Sequence, residues 1–345
     1  MSKGNGDGVS RREFLAGAAA LGAASVFGGF ATPLFAQGAK ISPTKKSRVV
    51  FGYSDKMIDA EQRVDQATIS KVIEETMVRL TGTKNSTDAW KSLFDKKDVV
   101  GIKVNCAAGK ALSSKPQMVR SIVDGLTGIG IPAENIIVWE RSDGELEGGG
   151  FKLNKDKEGY RCYGVQPDVL YEDAAVKSGD HEYRVTKMIT QKITALINLP
   201  ILKDHGTSGV TTALKNHYGS FVIDDKNIYP IHDNQCSPYL AELSAVPAIK
   251  DKTRLVLMDA IYCGYEGGPV YVPGRQWYEN AIVASADPVA IDAVSWEMID
   301  KARKEHGFMP LEKANRSPIK WLKVAEDMKV GHYTNDMMEK IVWKT

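Results

Sequence analysis

Two apolar runs bracket a helical pattern, and their spacing restricts the fold more than any other feature. Residues 99–105 read Val-Val-Gly-Ile-Lys-Val-Asn and residues 135–140 read Asn-Ile-Ile-Val-Trp-Glu. Between them, 116–128 opens on Pro116, which suits the first turn of a helix. Strand, helix, strand with short loops is the pattern of a right-handed βαβ unit in a parallel sheet. Further strands are expected at 48–53, 195–200, 254–259 and 281–285. Helices are expected at 67–80, where Ile69, Val72, Ile73, Met77 and Leu80 share one face, at 89–94, 210–217 and 292–303, and through most of 317–343. Residues 141–165, rich in glycine and charge, are expected as a long loop. The expected class is α/β: a mostly parallel sheet with helices on both faces. The 345 residues allow one large domain or two lobes with a boundary near 195–205.

The amino terminus stands apart from that body. Ser10-Arg11-Arg12-Glu13-Phe14-Leu15 precedes an Ala/Gly-rich apolar stretch running to Phe35. Twin arginines before a short apolar region mark a bacterial export signal, with cleavage expected after Ala36. An uncleaved anchor is the alternative, but glycine dilutes the stretch and its length is marginal for a span. The expected layout is a signal at 1–36, a polar linker at 37–47 and a folded body at 48–345. The expected location is the periplasm, with the twin-arginine machinery as a partner and no stable membrane span after cleavage. That route carries folded passengers, often loaded with a cofactor beforehand.

A net charge of +2, with no basic run in the body, argues against a nucleic-acid partner. Export permits disulfides among Cys106, Cys162, Cys236 and Cys263, and four cysteines allow three full pairings. No CxxC is present, so there is no ferredoxin-type iron–sulfur motif.

In open α/β sheets ligands bind beyond the carboxyl ends of the strands. Five expected strands end in polar groups: Lys103, Asn105 and Cys106; Glu140, Arg141 and Asp143; Lys203, Asp204 and His205; Asp259, Cys263, Tyr265 and Glu266; and Asp287 followed by Asp292. Residues 199–217 hold Lys203, His205, Lys215, Asn216 and His217 together. A helix starting near Val210 would aim free N–H groups at an anion, and the lysines would add positive charge. The alternative is solvated lysines paired with Asp204 or Asp224. His205, His217 and His232 are candidate metal ligands, with Cys106 as a further candidate; ordinary hydrogen-bonded histidines and a small buried thiol are the bland alternatives. Asp287 reads equally well as a helix cap before Pro288.

Four segments, in order, resemble the domain of unknown function 362 family: Gly101-Ile102-Lys103-Val104-Asn105, then 199–205, then Ala213-Leu214-Lys215-Asn216-His217-Tyr218-Gly219, then Ala284-Ser285-Ala286-Asp287-Pro288-Val289-Ala290-Ile291-Asp292. The resemblance spans roughly 48–300. It also looks distantly similar in organisation to lactate racemase, which holds a nickel pincer cofactor on a lysine and uses histidines for proton transfer. The resemblance implies Lys203, His205 and Lys215 as catalytic residues and Lys103, Asn105, Asn216 and Asp287 as cofactor-binding residues. It implies His205 and His217 as acid/base groups or metal ligands; with Cys106 added from the residues themselves, the expected metal ligands are His205, His217 and Cys106. The expected function is an exported protein whose metal or metal-organic cofactor site binds or acts on a small anionic ligand. The alternative is a non-catalytic ligand-binding or maturation accessory of an exported redox complex.

Overall fold

The computed structural model describes residues 45–156, 158–166, 171–223 and 229–345. The expected export signal at 1–36, most of the expected linker and Asp224 lie outside the described residues. In chain order the elements are β1 (Ser47–Tyr53), α1 (Gln66–Thr81), α2 (Ser86–Leu93), β2 (Val100–Val104), α3 (Pro116–Gly128), β3 (Ile136–Ser142), α4 (Asp143–Gly148), β4 (Arg161–Gln166), β5 (Tyr171–Ser178) and β6 (His181–Thr186). There follow β7 (Ala195–Leu199), β8 (Ile201–His205), β9 (Gly209–Thr211), β10 (Phe221–Val222), α5 (Tyr239–Ser244), α6 (Pro247–Lys250), β11 (Thr253–Gly264), β12 (Gln276–Ser285), α7 (Pro288–Glu305), α8 (Ile319–Asp327) and β13 (Met338–Lys344).

The fold is α/β, with a mixed, mostly parallel ten-stranded sheet and a small antiparallel second sheet. The large sheet runs β13-β1-β12-β11-β7-β2-β3-β4, with β8 beside β11 and β9 beside β8. The small sheet is β10-β6-β5. The central strands are apolar almost throughout because both faces are covered. In β7, Ala195, Ile197 and Leu199 enter the core under α1, α2 and α3, where Ile69, Val72, Trp90, Met118 and Ile122 are buried. Leu196 points into the opposite core with Trp139, Met258, Leu243, Ile299 and Trp321. Asp65 caps α1 by accepting from Thr68 N–H at 2.7 Å, and Asn85 caps α2 by accepting from Asp88 N–H at 2.9 Å. Among the described residues no helix is long and apolar enough to cross a membrane.

Four departures from the sequence expectations matter. Residues 210–217 are not a helix: β8 and β9 form an antiparallel hairpin, and only Lys215–His217 make a single 3-10 turn. Val210, Thr211 and Thr212 are β-branched and favour extended backbone. The reading of a helix N-terminus facing an anion at that place therefore fails. Residues 141–165 carry α4 and β4 rather than one long loop, and the tail ends in β13, parallel to β1. All four cysteines are free and buried.

The fourth departure concerns direction. β12 runs antiparallel to both β1 and β11, so Ser285 pairs with Val256 near the start of β11. Asp287 therefore emerges at the amino edge of the parallel strands, opposite the ends of β2, β3 and β8. Four of the five expected polar strand ends share an edge; the fifth does not.

Candidate functional site

At the carboxyl edge the ends of β2, β3, β8 and the 215–217 turn bring three lysines together with three asparagines. Lys103 Nζ donates to both oxygens of Glu140, at 2.8 and 2.6 Å, and to the Val104 carbonyl at 2.7 Å. Burial pushes the Glu140 carboxyl upward, against the pull of Lys103. Lys203 Nζ donates to Asn105 Oδ1 at 3.0 Å. Asn105 Nδ2 donates to Asn216 Oδ1 at 3.1 Å, and Asn216 Nδ2 donates to Asn198 Oδ1 at 2.7 Å and to the Lys103 carbonyl at 3.1 Å. Asn198 Nδ2 ends the chain on the Ala213 carbonyl at 2.7 Å. Each amide is both donor and acceptor in this chain, so its orientation is set by its neighbours.

Lys203 is 0% exposed and Lys215 is 3% exposed. Among the described residues neither has a carboxylate within ion-pair distance. Lys215 Nζ lies 4.0 Å from the Tyr218 ring centroid, and Arg141 covers the same ring at 5.4 Å. Burial lowers both lysines to about 8; at Lys203 the nearby Cys106, Glu140 and Asp204 act against the lowering, and Lys215 adds to it. Two ammonium groups held out of water without a counter-ion are costly in the empty protein.

His205 ends β8 and stacks on His232, with ring centroids 5.3 Å apart and planes 12° apart. Its Nδ1 accepts from the N–H groups of Thr207 at 3.0 Å and Ser208 at 3.2 Å. A ring nitrogen that accepts twice carries no proton, so the neutral ring is protonated on Nε2. Burial first, then the charge of Lys215, lowers His205 to about 2. Burial lowers His217 to about 3, and its Nδ1 lies 3.3 Å from Ser220 Oγ. His232 falls to about 4, burial being the first cause. All three rings are uncharged at neutral pH.

Asp204 alternates to the other side of β8. It accepts from Arg316 Nη1 at 2.9 Å and from Gly268 N–H at 2.8 Å, while Arg316 Nη2 reaches Glu266 at 2.6 Å and Arg303 closes on the same Glu266 oxygen. The 264–268 loop is thereby tied to β8. Its approach requires glycine, because a Cβ on Gly268 would fall 1.9 Å from the Asp204 carbonyl oxygen. Asp292 fixes the other flank: its carboxylate accepts from Thr212 Oγ1, Ala213 N–H and Leu214 N–H at 2.9 Å for the last. That carboxylate shapes the turn that presents Lys215 and Asn216.

Lys103, Asn105, Lys203, Lys215 and Asn216 thus meet, with His205 beside them. Asp287 does not join them. It caps α7 through Val289 N–H at 2.8 Å and Ala290 N–H at 3.0 Å, and accepts from Ser47 Oγ at 2.6 Å and His332 N–H at 2.8 Å. Cys106 is packed so tightly that a Cβ on Gly149 would fall 2.6 Å from its sulfur, and burial holds its thiol protonated. Among the described residues no three His, Cys, Asp or Glu side chains gather as a metal site. The His205 tautomer also withholds Nε2 from coordination, because that nitrogen bears the proton. Among the described residues the expected donors His205, His217 and Cys106 do not gather as a metal-binding group.

The sequence reading missed Asn198, Tyr218 and Arg316. Asn198 had a signal, since it is a polar residue inside the apolar run of β7. Tyr218 and Arg316 had none.

The family model described as "Domain of unknown function (DUF362)" matches residues 100–297, and the chain belongs to that family. That span contains Lys103, Lys203, Lys215 and Asp292 and excludes Arg316. No curated protein matches the chain. The chain is similar, at 10% identity and a TM-score of 0.40, to a crystal structure of a protein from Thermotoga maritima. The match covers 74% of this chain and 60% of that one, so the chain spans less than two thirds of that protein's length.

Proposed function

We propose that this family member binds a small anionic ligand, a carboxylate or a phosphate, at the carboxyl edge of the sheet. Lys203 and Lys215 supply the charge, and the Nε2–H of His205 is an additional donor. The observation that carries the reading is the pair of buried lysines with no carboxylate within ion-pair distance among the described residues. Burying two cations costs several kcal/mol unless something neutralises them, and an anionic ligand does so. Tight, water-excluded charge of this kind also stabilises negative charge as it develops on a substrate, so the same site serves turnover.

The twin-arginine motif at Arg11 and Arg12 supports a periplasmic setting. The analogy with lactate racemase draws support from the lysines alone, because among the described residues the histidine and cysteine donors do not gather as a metal-binding group. Capture without turnover, by an accessory of an exported complex, would use the same lysines; it differs in returning the ligand unchanged.

The test is titration calorimetry with oxalate, pyruvate and inorganic phosphate on the full chain and on Lys203→Met. Binding in the wild type that weakens at least tenfold in the variant supports the reading. Equal binding by both, or none by either, sinks it.

A further inference from the structure

The three lysines of the site are not equivalent. Lys103 is saturated by Glu140 and a carbonyl. Lys203 points its ammonium at Asn105 Oδ1, and the asparagine chain holds that amide in place. The Lys215 ammonium has neither a hydrogen bond nor an ion pair among the described residues and rests against the Tyr218 ring instead. A ring face satisfies an ammonium far less well than three acceptors do, and tolerates an uncharged amine.

The groups around Lys215 mostly disfavour its charge. Arg141, held by Glu145, flanks it across Tyr218, Lys203 repels it, and His205 and His232 are neutral rings. The Cys236 thiol is the neighbour that favours the ammonium. A desolvated lysine next to another cation is the arrangement that turns an amine into a nucleophile toward carbonyls. A fixed cation beside a free amine also specifies the ligand: a carboxylate next to a carbonyl carbon.

We infer that Lys215 forms an imine with the carbonyl of a small 2-oxo carboxylic acid whose carboxylate is held by Lys203. This rests on the anion-site reading and adds the ligand's electrophile. In the step, the Nζ lone pair of the neutral amine bonds to the carbonyl carbon. The carbon–oxygen bond then breaks, and the oxygen leaves as water with the two amine protons. No oxidant or reductant takes part.

The experiment is reductive trapping: the full chain with pyruvate and cyanoborohydride, followed by intact mass and peptide mapping. One adduct on Lys215 is expected, absent in Lys215→Arg and retained in Lys252→Arg. Lys252 is the control because its ammonium is also lowered to about 8 by burial, yet donates to the carbonyls of Ile189, Thr190 and Ile193. Trapping at Lys252, at Lys203 or across exposed lysines overturns the inference. So does an absence of adduct in a protein that binds pyruvate and oxalate by calorimetry, in which case the anion reading stands. No binding and no adduct overturns both. If Lys215→Arg does not fold, as judged by its melting curve, the wild-type peptide map decides alone.

Discussion

The two edges of the large sheet bury charge in opposite ways. At the amino edge, Arg254 at the start of β11 meets Asp98 just before β2. Both are almost fully buried, with Arg254 Nη2 at 3.1 Å from one Asp98 oxygen and Nη1 on the other. Thr194 Oγ1 at 2.8 Å and Asp95 N–H at 2.8 Å fill the remaining acceptor sites of that carboxylate. At the carboxyl edge Glu140 is taken by Lys103 and Asp204 by Arg316, and among the described residues Lys203 and Lys215 have no carboxylate within ion-pair distance. The first arrangement is neutral and ties three strand starts together, with Arg254 Nε its one buried donor left unpartnered. The second leaves positive charge and donors unmatched. Buried charge that is paired, as at Asp98, or saturated with hydrogen bonds, as at Asp287 and Lys252, belongs to the fold; a buried ammonium with neither, as at Lys215, is a candidate for a place where a ligand sits.

The largest test of that contrast is Asp98→Ala. It strands the Arg254 guanidinium in the core, and losing one partner of a buried pair costs about 3–5 kcal/mol. Chemical denaturation should show that loss equally with and without added oxalate. A cost below about 1 kcal/mol would mean the amino-edge pair behaves like a surface bridge, and the contrast would go.

The same two edges show what was readable in the amino-acid order. The βαβ rhythm at 99–140 and the buried strands were legible, since hydrophobic period and length report them directly. So were Lys103, Asn105 and Lys203 as candidates, because the parallel strands that carry them end at one edge; Lys215 and Asn216 were singled out from their residue types, but they reach that edge on the turn after β9. Strand direction was not legible. β12 has the same apolar character as its parallel neighbours, and nothing local states that it runs the other way. Asp287 was therefore assigned to the wrong edge, where its capping role had been the simpler reading. The 210–217 hairpin was lost because its turn is held by Asp292, about 80 residues on in the chain. The Arg316 clamp depends on chain return from 316 to 204, which no spacing rule predicts.

A second test replaces a carboxyl-edge cation. Lys215→Met keeps volume and removes an unmatched charge, so the ligand-free protein should gain about 1–3 kcal/mol. Anion binding should fall at the same time. Stability against function is the expected trade where a site is held open to a ligand. A destabilised variant would show that Lys215 serves the fold as Arg254 does.

The finest test uses pH. Burial sets Lys203 and Lys215 to about 8 in the folded chain, below the value near 10.5 expected once unfolded. Between those values the unfolded chain binds more protons than the native one, so native stability rises with pH. The penalty is fully present below about pH 8 and is relieved as the solution passes from 8 toward 10.5. Stability of the ligand-free protein should climb by about 1 kcal/mol per pH unit from each of the two lysines, about 2 kcal/mol together, across the lower half of that window. Lys252 contributes a climb of the same sign, and tyrosines begin to titrate above it. The decisive quantity is therefore the difference between the wild type and the Lys203→Met, Lys215→Met double variant. That difference should shrink with rising pH in the empty protein. Saturating oxalate should flatten the wild-type curve, because a bound anion holds both lysines protonated and moves their titration upward. The Asp98–Arg254 edge offers no such handle, since its charges are already matched, and Asp98→Ala should leave the difference unchanged. A pH-independent difference would mean that the lysines are solvated and charged in the native protein, and the carboxyl edge would then be no different from ordinary surface.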